Sequence, residues 1–209
     1  GGRMVDDDAW QMERTQRLKQ VYNEQISLPK DIYGEERQNS KGIDITDINE
    51  LVPLKNNLEA WFEQNQKAVA ESDKSGVAVV NPANTKEVVG YHKYASSDDM
   101  KSALENAEKA FATWSKTPVS ERAELLRKTA DMLEDHMDEF IAICIKEAGK
   151  ITKDSIDEVR EAVDFCRYYA ARAEELDQDD RLEPRGVILC ISPWNFPLAI
   201  FLGQVVAAV

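Results

Sequence analysis

Arg185-Gly186-Val187-Ile188-Leu189-Cys190-Ile191, Ser192-Pro193-Trp194-Asn195-Phe196-Pro197, then Leu198 to Val209: this stretch decides how the chain is read. The first run is short, apolar and β-branched, which predicts a strand with both faces covered, as in a parallel sheet. Two prolines bracket the loop that follows. Pro197 suits the first turn of a helix, where its missing N–H costs nothing. The last segment is apolar nearly all round and predicts a core helix. A Trp N–H, an Asn amide and backbone amides therefore gather at the carboxyl end of a strand, the place where open α/β sheets bind ligands. An Asn held there can donate to an oxygen that gains negative charge during a reaction. The same loop is also open to a purely structural reading, as a turn that satisfies its own backbone.

Working backwards, Asp177 to Arg181 is a charged connector, and a long helix is expected over Thr152 to Leu176 on Ile156, Val159, Val163, Cys166, Ala170 and Ala173. A helix carrying Met137, Phe140, Ile141, Cys144, Ile145 and Ala148 ends at Gly149, a left-handed cap. Before it, Thr117-Pro118 starts a helix whose stripe is Leu125, Leu126, Ala130 and Leu133. Ser96 or Ser97 caps another, with Met100, Ala103, Leu104, Ala107, Phe111 and Trp114 as its buried stripe. Val77 to Val80 and Val88 to Tyr94 are two short strands around the turn Asn81 to Thr85. Thr46 or Asp47 caps a helix to about Glu71 with Leu51, Leu54, Leu58, Trp61 and Phe62 on one side. Ile26 to Ile45 is turn-rich and extended, and Gly1 to about Glu24 is a polar arm that is expected to dock outside the chain or move. The expected division is a linker over 1–45, a mostly helical part over 46–180 and the start of a nucleotide-binding unit over 181–209.

Composition narrows the function classes. The 209 residues are 43% hydrophobic and 31% charged, ordinary for a soluble globular chain. A net charge of -13 disfavours nucleic acid and anionic membrane surfaces, because both need Lys and Arg clusters. Asp6, Asp7 and Asp8 interrupt any secretory signal, and no run is apolar for long enough to span a bilayer. Three cysteines without metal or disulfide spacing fit a reducing, cytoplasmic setting, and two histidines make a histidine metal site unexpected. Cys144 and Cys166 fall on apolar helix stripes and Cys190 within the expected strand, so all three are read as packing residues. The turn at Glu147-Ala148-Gly149-Lys150 is read as a helix end with a terminal lysine, and the remaining charge runs as solvated faces.

The Ile191 to Pro197 loop resembles the Pro-Trp-Asn-Phe-Pro signature of the aldehyde dehydrogenase superfamily. The resemblance extends back through Asn81 to Thr85, the helix from Ala107 to Trp114, Glu147 to Lys150 and Tyr168-Tyr169-Ala170. Tyr33 to Asp44 looks like the connector of the bifunctional proline utilization A family, in which a flavin proline dehydrogenase barrel precedes a glutamate-semialdehyde dehydrogenase. The resemblance implies an α/β fold: an N-terminal fragment of an aldehyde dehydrogenase fold, mostly helical, with a strand pair and the first strand-loop-helix of a Rossmann-like sheet. It implies NAD-dependent oxidation of glutamate semialdehyde to glutamate, with FAD only in an upstream module and oligomerisation of the complete protein. Asn195 would donate its amide to the thiohemiacetal oxyanion. Ile191, Ser192, Pro193 and Trp194 would border the dinucleotide, and Phe196 would wall the aldehyde tunnel. The family's nucleophilic cysteine and general-base glutamate lie downstream of this loop. The chain by itself is therefore expected to be inactive, to bind NAD weakly and to self-associate. Alternatives are another aldehyde dehydrogenase, such as one for succinate semialdehyde, or a non-catalytic helical interaction module.

Overall fold

A computed structural model of the chain describes residues 26–179 and 181–209, and the polar arm over residues 1–24 lies outside them. The chain separates into two units, Gly1–Asn39 and Ser40–Val209. In the first, Pro29–Asp31 forms a single 3₁₀ turn, begun by a proline where no N–H is needed. Asn39 closes back on that turn, its backbone N–H donating to Lys30 O at 3.0 Å and its side-chain amide to Pro29 O at 3.0 Å.

The second unit is built of six helices and one strand pair among the described residues: α1 (Ile48–Glu71), β1 (Val77–Asn81), β2 (Asn84–His92), α2 (Ser97–Trp114), α3 (Val119–Asp135), α4 (Met137–Ala148), α5 (Thr152–Leu176) and α6 (Ala199–Ala208). Local chemistry sets the ends. The Asp47 side chain accepts from Asn49 N at 2.8 Å and opens α1. A capping box opens α2, with Asp99 N donating to Ser96 Oγ and Ser96 N donating back to the Asp99 carboxylate. The two strands pair antiparallel, with Val77 opposite His92 and Val79 opposite Gly90, before a register shift places Val80 opposite Val88.

α5 is the spine. Its first half packs Ile156 and Val159 with Leu54 and Leu58 of α1 and Met137 and Ile141 of α4. Its second half packs Ala162, Val163, Cys166 and Ala170 with α3 and α6. Small residues let these helices come close, which suits shape-matched packing rather than loose apolar contact. Gly203 of α6 is one such point: a Cβ there would lie 2.8 Å from the Phe165 ring of α5. The strand pair joins the bundle at α4, where Lys146 Nζ meets Glu87 Oε1 at 2.7 Å and Asn81 Nδ2 donates to Glu87 Oε2 at 2.8 Å. No described helix is long and apolar enough to cross a membrane.

Gly149 ends α4 in the left-handed region, with φ 67°, and its hydrogen faces Pro82 of the strand turn. An added Cβ would meet Pro82 Cγ at 2.8 Å. Gly149→Ala is therefore expected to destabilise the protein by at least about 1 kcal/mol from backbone conformation alone, with more from the displaced turn. Urea denaturation of the two proteins measures the difference, and an unchanged midpoint would contradict this account.

The structure corrects several expectations. Gly186 to Ile191 is not a strand: no ladder partner lies beside it among the described residues, and Leu189 and Ile191 are 83% and 73% exposed. A β-branched apolar run supplies the preference for a strand, but neighbouring strands supply the hydrogen bonds and the cover. Cys190 accordingly sits partly exposed rather than within a covered strand. The stripe of α2 is not fully buried: Met100 and Leu104 are mostly exposed, and Ala107, Phe111 and Trp114 are only partly covered. On α3 the buried face is turned slightly from the expected one: Ala123 joins Leu126, Ala130 and Leu133, and Leu125 points to solvent. Pro197 also precedes α6 rather than lying in it, since the helix begins at Ala199.

Candidate functional site

The loop Ser192 to Pro197 has little internal structure. Among the described residues its one backbone bond, Phe196 N to Pro193 O, is 3.4 Å long. What places it comes from elsewhere in the chain. Lys150, just past the α4 cap, reaches Asn195 O at 3.1 Å, and its ammonium lies 4.8 Å from the centre of the Phe196 ring. The same Nζ is 2.7 Å from Glu158 Oε2. Glu158 Oε1 accepts from Leu198 N at 3.1 Å and from Ala199 N at 2.8 Å. At the other end of the loop, Gln204 Nε2 donates to Ile191 O at 2.9 Å.

Glu158 thus caps α6 from 40 residues upstream. The local N-cap, Leu198, has no side chain able to accept from the first amides, so those orphan N–H groups find a carboxylate on α5 instead. A negative charge at a helix N-terminus is favourable, and Lys150 balances it. Glu158 is 2% exposed and both its oxygens are used, so its burial is compensated.

The predicted site residues fall together at this loop, with different surroundings. Trp194 is 84% exposed, and Pro193 and Ile191 are exposed beside it. Ser192 and Phe196 are partly covered. Asn195 is exposed; its backbone carbonyl is occupied by Lys150, whereas its side-chain amide makes no hydrogen bond among the described residues. The cysteines lie apart from this chemistry. Burial, with the Glu158 charge adding to it, pushes the Cys144 thiol up to about 11. Burial pushes Cys166 up to about 11 as well. Neither would be an appreciable thiolate near neutral pH.

Glu158 was not among the sequence candidates, and Lys150 was read only as the lysine of a helix end. A signal existed for Glu158: Ser155, Val159 and Ala162 are its neighbours on the covered face of α5, so it stands where an apolar residue is expected. Arg167 breaks the same pattern one helix region later, and it too is buried.

The aldehyde dehydrogenase family pattern matches residues 69–209. The bifunctional protein PutA of Salmonella typhimurium is 40% identical over 188 residues, covering 88% of this chain and 14% of that protein. The 1-pyrroline-5-carboxylate dehydrogenase of Anoxybacillus flavithermus is 39% identical over 144 residues, 63% of this chain and 28% of its own. A crystal structure of bifunctional proline utilization A superposes with a TM-score of 0.71 at 33% identity, over 90% of this chain and 18% of that one. The 1-pyrroline-5-carboxylate dehydrogenase from Thermus with bound NAD gives 0.65 at 27% identity, over 80% and 37%. The chain therefore spans only about one seventh of the bifunctional relatives' length.

Proposed function

The chain belongs to the aldehyde dehydrogenase family and its architecture is part of that fold, and from this premise we propose that it forms the oxyanion-side wall of an NAD-dependent dehydrogenase that oxidises glutamate semialdehyde, in equilibrium with pyrroline carboxylate, to glutamate. The observation that carries the reading is Asn195: its backbone is tied down by Lys150 while the residue is exposed and its side-chain amide makes no hydrogen bond among the described residues. An amide left free in this way is available to an incoming oxygen. The substrate class follows the relatives, whose names include both PutA and 1-pyrroline-5-carboxylate dehydrogenase.

In this reading the aldehyde carbon is attacked by the thiolate of the cysteine that the family resemblance implies downstream of this loop; Cys144 and Cys166 are held as thiols and do not supply it. The aldehyde oxygen then approaches a full negative charge, and the Asn195 amide donates to it. Phe196 walls the approach and limits water. The donor chemistry of the loop fits one side of a dinucleotide: Ile191, Pro193 and Trp194 present exposed apolar surface, and the Trp194 indole N–H is a donor suited to a pyrophosphate. Ser192 borders the same surface. Because Ile191 O is taken by Gln204, Ile191 would contribute through its side chain. When bound, NAD supplies the hydride acceptor. FAD belongs to a proline dehydrogenase module that the likeness to the bifunctional relatives suggests, and an oligomeric, cytoplasmic complete protein is part of the same proposal.

The test is substrate preference. The complete enzyme carrying this chain, assayed for NADH formation, is expected to show a higher kcat/KM for pyrroline carboxylate than for succinate semialdehyde. Equal or reversed values would favour a different aldehyde.

A further inference from the structure

We propose that Glu158 and Lys150 are positioning residues for Asn195, a buried carboxylate–ammonium pair that fixes the loop backbone so that the oxyanion donor is presented in one orientation. The proposal rests on the reading of Asn195 given above. Neither residue is assigned contact with substrate; both act through main-chain atoms.

The geometry runs outward from the core. Val159 and Ala162 of α5 are fully buried, and Glu158 lies beside them with 1% of its side chain exposed. One carboxylate oxygen holds the Leu198 and Ala199 amides, which fixes the residues after the loop. The other holds Lys150 Nζ, whose side chain is 14% exposed. Lys150 passes the restraint to Asn195 O at 3.1 Å and packs its charge on the Phe196 ring. The loop thus has a fixed point at Asn195 itself and another immediately after Pro197, and both lead to the same carboxylate. Charge-assisted hydrogen bonds of this kind are short and directional, which is what a restraint on a loop without a ladder partner requires. A donor gains its catalytic value from being in place before charge develops. Lys150 is aimed at a backbone carbonyl rather than away from the loop, so its contribution is orientation and not a second positive charge on the reacting oxygen.

The experiment is a double-mutant cycle read by single-turnover NADH formation, using the complete enzyme with NAD and pyrroline carboxylate. The proteins are wild type, Lys150→Met, Asn195→Ala and the double variant, with Lys150→Arg as the conservative replacement. Lys150→Met is expected to slow the first turnover about 10- to 100-fold, the scale of a misplaced catalytic group, while the NAD dissociation constant stays within about two-fold. In the Asn195→Ala background the same substitution is expected to change the rate less than about three-fold, because the group it positions is gone. Lys150→Arg, which keeps a charged donor toward Glu158 and Asn195 O, should recover most of the loss. Glu158→Gln is the companion variant, and Lys150→Met carries the test if that protein fails to fold. Normal turnover in Lys150→Met would overturn the proposal, as would equal factors in both backgrounds. Normal turnover in Asn195→Ala would overturn the oxyanion reading itself, and this proposal with it; slow turnover there with equal factors would overturn the positioning role alone.

Discussion

Asn195→Ala is expected to lower kcat of the complete enzyme by about 10²–10³, or roughly 3–4 kcal/mol of transition-state stabilisation. NAD affinity should stay within a few-fold. In the ground state the aldehyde oxygen carries partial charge; after thiolate attack it approaches a full one. A fixed amide donor therefore binds the transition state better than the substrate, and its loss falls on the chemical step. Asn195→Asp should be at least as damaging, because a carboxylate repels the developing charge. If the side chain instead served the loop's own backbone, Ala would cost about 1–2 kcal/mol of stability and leave turnover of the folded enzyme intact. The geometry favours the first outcome, since the loop is held by Lys150 through Asn195 O, a contact that Ala keeps. Melting temperature and single-turnover NADH formation on one Asn195→Ala preparation separate the two. A lowered melting temperature with normal turnover would defeat the assignment.

The family was legible in the run Pro193-Trp194-Asn195-Phe196-Pro197, and the family match spans it. Helix ends were legible for a local reason: Asp47, Ser96 with Asp99, and Gly149 act on backbone groups within a few residues of themselves. Buried faces followed helical spacing on α4 and α5 but not on α2, where apolar spacing describes what a helix can cover and not what is present to cover it. The segment from Gly186 to Ile191 failed for the same reason, since a strand is a property of a pair. The Glu158 contacts were out of reach in another way. They join residues about 40 positions apart, and a Glu in a helix is ordinarily a solvated one; only its place among Ser155, Val159 and Ala162 marks it. Lys150 was visible as a helix-end lysine, and its aim at Asn195 O depends on that same long-range packing.

Arg167→Met is expected to destabilise the protein by about 3–5 kcal/mol near neutral pH, the usual consequence of removing one partner from a buried pair. Arg167 is 8% exposed and donates to Glu134 Oε1 at 3.0 Å, Glu134 Oε2 at 2.9 Å and Asp131 Oδ1 at 3.0 Å. Lys41 N also donates to Glu134 Oε1, at 2.7 Å, so the carboxylate ties α5, α3 and the segment before α1 together. Burial pushes the Glu134 carboxyl up, but the Arg167 guanidinium and the Lys41 amide outweigh it and hold the group below its ordinary value. A carboxyl with a depressed folded pKa stabilises the protein above its unfolded pKa, and that contribution is lost as pH falls through the folded value. In Arg167→Met the main opposing influence is gone, so burial raises the Glu134 pKa and protonation relieves the uncompensated charge. The stability gap between the proteins should therefore be widest at neutral pH and narrow as the pH falls toward and through the ordinary glutamate range. Urea denaturation at several pH values measures it. A gap that stays constant from neutral pH to pH 3 would mean that Arg167 acts through the packing of its stem rather than through the charge on Glu134.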